Sequence, residues 1–306
     1  CGGDSSTVQV KLKKGVVKTI YSTSKAFAAL KSNGSVVTWG HSRYGGYSGS
    51  VQEELKKGVK TIYSTDLAFA ALKLDATVVT WGIARYGGDN SSVQKKLKKG
   101  VVKTIYSNHG AFATLKSDGS VVTWGHADWG GNSSKVQEEL KGVKTIYSTD
   151  KAFAALKSDG SVVTWGKSEY GGDSSSVQVD LKMGVKTIYS TRFAFAALKS
   201  DGSVVTWGHK RYGGDSSTVQ AGLKGGVKTI YSTRRASAAL KSDGSVVTWG
   251  HAEYGGNSGR VQGDLKGVKT INSTYSAFAA VLSNGRVVAW GSPGNGGRLG
   301  FARLWW

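Results

Sequence analysis

In this 306-residue chain, the best candidates for a binding function are basic and aromatic side chains at positions that differ between the copies of an internal repeat. Arginine forks pair with carboxylates, and aromatic rings add contact area at protein interfaces. We predict a partner-binding set of such residues, comprising Lys25, Arg43, Arg85, Lys151, Arg192, Phe193, Lys210, Arg211, Arg234, Arg235 and Tyr275. The chemistry expected of this set is recognition of an anionic surface.

The charge balance of the chain indicates the same class of partner. Lys and Arg total 41 against 20 Asp and Glu, a net charge of +21. Such an excess favours nucleic acid, anionic lipid or an acidic protein surface. We expect a protein partner with an acidic surface, with nucleic acid as a possible alternative. Neutral variation of exposed loops and solvated lysines would give the same composition.

A second basic feature is constant between copies of the Gly-Val-Lys segment. Its lysines are Lys57, Lys60, Lys99, Lys103, Lys141, Lys144, Lys182, Lys186, Lys224, Lys228, Lys266 and Lys269. Because they recur at one position, they should form a repeated band of positive charge. We favour a solvated outer rim for this band over a binding site.

Residues that could bind metals or catalyse reactions show no suitable spacing. His41, His126, His209 and His251 recur one place after Trp-Gly, but ligands of one ion must converge within about 2–2.5 Å, and positions in different copies rarely do so. The Gly-Gly-Asp-Ser-Ser loops lack the dense acidic spacing of calcium loops. No nucleophile elbow occurs. We therefore predict no catalytic residue, metal or cofactor, and a protein that is not an enzyme.

These side chains are carried by a repeat. The segment Ser-Val-Val-Thr-Trp-Gly at residues 35–40 returns, with small changes, at intervals of 41 to 43 residues. The tryptophans that mark the seven copies are Trp39, Trp81, Trp124, Trp165, Trp207, Trp249 and Trp290. Seven near-identical units indicate a repeat architecture, and their constant residues should form the core.

Each copy of the repeat is predicted to form three short strands followed by an outer element. In the second unit the strands are Val-Lys-Thr-Ile-Tyr-Ser from Val59, Ala-Phe-Ala-Ala-Leu-Lys from Ala68 and Val-Val-Thr-Trp from Val78. Most units place Asp-Gly or Asn-Gly in the second turn, whereas this one has Asp75-Ala76, which should strain it. We expect one or two helical turns in the outer element, although residues 177–181 look more like a strand.

The pattern Val…Ile, Ala-Leu, Gly-x-Val-x-x-Trp-Gly and a later Gly resembles the repeat of the regulator of chromosome condensation (RCC1-like) family. The fourth unit shows it as Val143, Ile146, Ala155-Leu156, residues 160–166 and Gly171. The resemblance implies an all-β fold, a seven-bladed β-propeller. We assign it to residues 1–297 as one domain, with a C-terminal extension at 298–306. The ends should meet through residues 8–12 and 287–290.

Founding members of that family exchange guanine nucleotide on a small GTPase and bind chromatin. No position here corresponds to those functional residues, and the family's His before the Ala-Leu strand is replaced, as at Ala152. We therefore predict a non-catalytic protein-interaction or scaffold module, as a monomeric ring or a subunit or fragment of a larger assembly. A nucleic-acid- or chromatin-binding propeller and a nucleotide-exchange regulator remain the alternatives. The compartment stays open, with an intracellular location favoured.

Overall fold

Seven three-stranded antiparallel sheets make up the computed structural model, which describes residues 4–298. In every sheet the strands follow chain order. The strands are β1 (Val17–Ser22), β2 (Ala26–Lys31), β3 (Val36–Gly40), β4 (Val59–Ser64), β5 (Ala68–Lys73), β6 (Val78–Gly82), β7 (Val102–Ser107), β8 (Ala111–Lys116), β9 (Val121–Gly125), β10 (Val143–Ser148), β11 (Ala152–Lys157), β12 (Val162–Gly166), β13 (Val185–Ser190), β14 (Ala194–Lys199), β15 (Val204–Gly208), β16 (Val227–Ser232), β17 (Ala236–Lys241), β18 (Val246–Gly250), β19 (Val268–Ser273), β20 (Ala277–Leu282) and β21 (Val287–Gly291). The all-β, seven-bladed class that the repeat predicts is confirmed.

Local sequence explains the sheet geometry. The first strand of each sheet carries a bulge, as between Val59 and Thr61 of β4, and then pairs in regular register with the central strand. The turn at Asp75-Ala76 is strained as predicted, since Ala76 has a φ of +65° and is the one non-glycine residue among 4–298 with a positive φ. Glycine fills that place in the other units, as Gly119 and Gly202 do with φ of +77° and +79°.

Short helical turns form the outer elements, as predicted. The α-helices are α1 (Gln9–Lys13), α2 (Gln94–Lys98) and α3 (Gln220–Leu223), each preceded by a 3-10 turn. The strand-like interpretation of residues 177–181 is wrong, because a 3-10 turn at Ser175–Val177 leads into further turns. Val177 is half-buried, Val179 is 77% exposed and Leu181 is fully buried. The two inward positions, 177 and 181, are therefore four residues apart, which is a helical spacing. No helix among residues 4–298 has the length and apolar character needed to cross a membrane.

The repeated tryptophans form the core with the phenylalanines of the central strands. Six of them, from Trp81 to Trp290, are 2–4% exposed, and each donates Nε1–H to a glycine carbonyl of the preceding copy at 3.0–3.1 Å. Phenylalanine rings stack on five of these six at 5.1–5.3 Å, whereas Trp249 is paired with Ser237. Trp39 is half-buried. Gly2, which corresponds in the repeat to the acceptor glycines of the other tryptophans, lies outside the described residues.

The contacts divide the chain into two compact parts, named unit 1 and unit 2 from here on, each of which spans several copies of the repeat. Unit 1 runs to residue 158 and includes 163–167; unit 2 comprises 159–162 and the chain from 168. In unit 1, Ile62 and Phe69 of one blade pack on Ala28 and Leu30 of the preceding blade. In unit 2, Ile271 and Phe278 pack in the same way on Ala238 and Leu240. The single-domain assignment and the meeting of the two ends stay predictions, and the predicted extension lies, apart from Arg298, outside the described residues.

Candidate partner-binding surfaces

A threonine, replaced by Asn108 in one copy, precedes each variable pair and fixes its position. In unit 2, Thr233 Oγ1 accepts the Ala236 N–H at 3.1 Å and donates to the Tyr254 carbonyl at 2.9 Å. Asn108 performs the same task in unit 1, since its Oδ1 accepts from Ala111 N at 2.8 Å and its Nδ2 donates to the Trp129 carbonyl at 2.6 Å. The side chain therefore ties the variable pair to the loop after Trp-Gly.

That loop is a 3-10 turn, which the sequence did not predict. The turns are Ser42–Tyr44, Ala84–Tyr86, Ala127–Trp129, Ser168–Tyr170, Lys210–Tyr212, Ala252–Tyr254 and Pro293–Asn295. Glycine follows each of them; at Gly87, with φ of +97°, a Cβ would approach the Phe112 ring within 2.5 Å. All but the last turn end in an aromatic residue, and these rings lie beside the variable pairs.

The recurring histidines pack on these rings. His126 stacks on Trp129 at 4.2 Å with an interplanar angle of 10°, and His209 stacks on Tyr212 at 4.1 Å. Burial lowers the pKa of His126, and the positive charge of Arg85 lowers it further. Among residues 4–298, no group of three His, Cys, Asp or Glu side chains could hold a metal ion together. The geometry gives the histidines a packing role.

The first residues of the variable pairs form what we call the inner row of each unit. In unit 1 the row is linked by backbone bonds from Ser24 N to Asp66 O (2.9 Å), Asp66 N to His109 O (3.1 Å) and His109 N to Asp150 O (3.1 Å). The His109 imidazole lies between two carboxylates, 3.0 Å from Asp150 Oδ1 and 3.5 Å from Asp66 Oδ2. The inner row of unit 1 is therefore acidic.

The inner row of unit 2 has the same backbone pattern and the opposite charge. Arg192 N donates to Arg234 O, and Arg234 N donates to Tyr275 O, both at 3.1 Å. The Arg234 guanidinium lies 4.8 Å from the centroid of the Tyr275 ring, and Tyr275 is 53% exposed. This contact is a cation–π pair at an accessible position.

Beside this row, Arg235 lies in an aromatic cluster of unit 2. Its guanidinium carbon is 4.8 Å from the Tyr212 ring centroid, 4.9 Å from that of Tyr254 and 5.7 Å from that of Phe193. Phe193 packs in turn on Tyr170 at 5.2 Å and on Tyr212 at 4.9 Å. We name Phe193, Arg234, Arg235 and Tyr275, with the supporting Tyr212 and Tyr254, the arginine–aromatic surface.

Of the four positions of unit 1 equivalent to Arg235, two hold lysine and the others hold Leu67 and Gly110. Lys25 Nζ lies 5.0 Å from the Tyr44 ring centroid, and Lys151 Nζ lies 4.7 Å from that of Trp129. Arg43 and Arg85 are exposed on two different 3-10 turns. The predicted residues of unit 1 are therefore spread over separate loops and turns, and Lys25 and Lys151 each lie beside a different ring.

The predicted set is only partly brought together in unit 2. Arg192, Phe193, Arg234, Arg235 and Tyr275 lie in one continuous run of contacts. Lys210 and Arg211 are exposed on the turn that leads to Tyr212 and line an open groove of about 900 Å³ over β18. The twelve lysines of the Gly-Val-Lys segments are all exposed.

Sequence reasoning missed the residues that support this surface. Thr233, Tyr212 and Tyr254 were not among the candidates, although a Thr recurs before the central strand and an aromatic residue recurs before Gly-Gly. Their constancy was the available signal, because a constant residue next to a variable one is suited to positioning it.

The repeat and its three-stranded sheet decide the type of fold. The seven sheets fit an all-β, seven-bladed propeller. No family model and no curated protein matches the chain. Among solved structures, Prp20p from Saccharomyces cerevisiae is similar at 17% identity over 81% of this chain and 74% of that chain, with a TM-score of 0.44. The ectodomain of the Arabidopsis thaliana receptor kinase ACR4 is similar at 15% identity over 91% and 98%, with a TM-score of 0.41. The RCC1-like likeness concerns the fold and assigns no activity or partner.

Proposed function

We propose that this protein is a non-catalytic protein-interaction module whose partner presents an acidic surface. The observation that carries the proposal is the arginine–aromatic surface of unit 2. Arg and aromatic residues are enriched at the energetically dominant positions of protein interfaces. Here they sit at positions that vary between copies of the repeat, beside constant residues that hold them in place.

The acidic character of the partner follows from local charge. No ion pair is formed by Arg234 or Arg235 with any carboxylate among residues 4–298, so their charges are available to a partner. An interface complementary to them carries negative charge. Membership of a larger assembly and a link to GTPase regulation remain predictions from the sequence.

Nucleic acid is the second candidate, and the exposed lysines favour it. Twelve exposed lysines, two in each of six copies of the Gly-Val-Lys segment, together with a net charge of +21, suit contacts to phosphates. Binding of this kind depends on total charge and weakens steeply with salt, because each neutralised phosphate releases counterions.

Two matched variants separate the candidates. One changes Phe193, Arg234, Arg235 and Tyr275 to Ala; the other reverses Lys141, Lys144, Lys182 and Lys186 to Glu. Co-purification from native extract should lose the protein partner with the first variant and keep it with the second. Loss only with the second variant, together with tight, salt-sensitive binding of the wild type to duplex DNA, would contradict the proposal in favour of nucleic acid.

A further inference from the structure

The guanidinium of Arg235 lies among three aromatic rings of unit 2. Its guanidinium carbon lies over two tyrosine rings, 4.8 Å from the centroid of Tyr212 and 4.9 Å from that of Tyr254. Its Nε is buried and has no hydrogen-bond partner. Such packing restricts the side chain before any ligand arrives, which reduces the entropy lost on binding.

The hydrogen-bonding edge of the same group is unused. No described residue forms an ion pair or hydrogen bond with the guanidinium of Arg235, and its terminal nitrogens are not among the buried atoms. Stacking occupies the faces of a guanidinium, whereas hydrogen bonds are made in its plane. The two requirements are compatible, so the stacked group keeps its fork available for an oxyanion.

We infer that Arg235 is the anchor of the interface and that it binds a side-chain carboxylate of an acidic peptide segment in the partner. The inference rests on the proposed function and deepens it. A carboxylate is planar and accepts two parallel N–H bonds from one guanidinium, which matches a single held fork. Arg234, at the neighbouring position on Tyr275, supplies a second cation for a further acidic residue of the same segment.

The chain contains its own comparison for this inference. Lys151 occupies the position of Arg235 in unit 1 and lies over Trp129, so a lysine fits this repeat position beside an aromatic ring. Lysine keeps the charge but offers no fork, and such an exchange is not conservative at a stacked, bidentate site. Arg235→Lys therefore removes the fork while retaining the charge.

The test measures binding of fluorescein-labelled hexaglutamate to the whole chain by fluorescence anisotropy. Arg235→Lys should weaken binding about tenfold, equivalent to about 1.4 kcal/mol. Arg260→Lys, an exposed arginine of unit 2 that lies outside the predicted set and has no aromatic contact, is the matched control and should leave affinity within about twofold, as expected of a peripheral charge. Should Arg235→Lys lower the unfolding temperature, Arg235→Gln provides the second variant and should also lose binding.

Equal affinities of the wild type and Arg235→Lys would overturn the inference, as would an equal loss in the control. Failure of hexaglutamate to bind the wild type, or tighter binding of a phosphoserine peptide or duplex DNA of equal charge, would also overturn it. The proposed function fails separately. If the four-residue Ala variant loses the co-purified partner and Arg235→Lys retains it, the interaction surface stands and the role of Arg235 falls.

Discussion

The inner rows of units 1 and 2 share a backbone and differ in chemistry. Asp66 and Asp150, on either side of His109, make the row of unit 1 acidic, whereas Arg192 and Arg234 make that of unit 2 basic. Within both rows a backbone N–H donates to the carbonyl of the next member of the row, at 2.9–3.1 Å in unit 1 and at 3.1 Å in unit 2. Main-chain hydrogen bonds therefore set the position of each row residue. Residues of different charge can occupy these positions without a change in the backbone.

The largest effect should come from breaking the scaffold that the two rows have in common. Trp165 of unit 1 and Trp207 of unit 2 are 4% and 2% exposed, and both donate Nε1–H to a glycine carbonyl at 3.0 Å. Replacing either with Ala should cost about 3–5 kcal/mol through lost burial and a cavity. Urea unfolding followed by circular dichroism would measure the loss.

The half-buried Trp39 is the internal control for this prediction. Trp39→Ala should cost less than either buried substitution, because less apolar area is removed from contact. An equal cost for all three tryptophans would show that burial does not explain their contribution.

A smaller effect should follow from removing the threonine that ties a variable pair to its turn. Thr65 of unit 1 and Thr233 of unit 2 both donate to the carbonyl of a turn tyrosine at 2.9 Å. Thr→Val at either place should cost about 1–3 kcal/mol, because it leaves a buried N–H and carbonyl without a partner. Thr233→Asn should retain most of the stability, as Asn108 does this work in its own unit. A cost for Asn equal to that for Val would contradict the anchoring role.

Removing a charged side chain from either inner row should have less effect on stability. Asp66→Ser and Arg234→Ser each place the residue of Ser24 into a row whose backbone bonds remain. Both should change the free energy of unfolding by less than about 1 kcal/mol, since partly exposed ion pairs and cation–π contacts contribute little. Thermal unfolding would detect a larger loss, which would mean that side chains and not the backbone hold the rows.

The smallest expected effect is a pH dependence confined to His126 in unit 1. Burial and Arg85 lower its pKa in the folded protein, so the unfolded chain takes up a proton at higher pH than the folded chain does. Its contribution to stability is full above the unfolded pKa of about 6.5 and is lost as the pH falls through the folded value.

His126→Ile supplies the comparison, because Ile83 occupies the equivalent place in the preceding copy. As the pH is lowered from neutral, the free energy of unfolding of the wild type should fall relative to that of the variant. A difference that stays constant with pH would exclude titration of His126 as its source.

The sequence predicts those features that depend on neighbours within one repeat. The tryptophan spacing predicts seven sheets, the alanine-rich segments form central strands, and the missing glycine at position 76 gives a positive φ as expected. Residues 177–181 mislead because Val177, Val179 and Leu181 alternate like a strand, whereas burial of Leu181 and exposure of Val179 follow a helical turn.

The candidate surface could be predicted only in part. Arg192, Phe193, Arg234, Arg235 and Tyr275 stand out as departures from the repeat. Their contacts join residues of different copies: Arg235 meets Tyr212 from one turn and Tyr254 from the next. A single sequence gives the positions of such residues along the repeat but not which side of each blade they occupy, so it hides which cations acquire aromatic neighbours.

The bond from each buried tryptophan to a glycine carbonyl 35 to 37 residues earlier has a kinetic consequence. Because the bond spans less than one repeat, the main cross-blade contact needs only short chain closures. Contact order within a unit is therefore low for a β protein, and each folded blade offers a template for the next. Folding can then propagate from blade to blade during synthesis, with the tryptophan of each new copy closing on a glycine that the ribosome has already released.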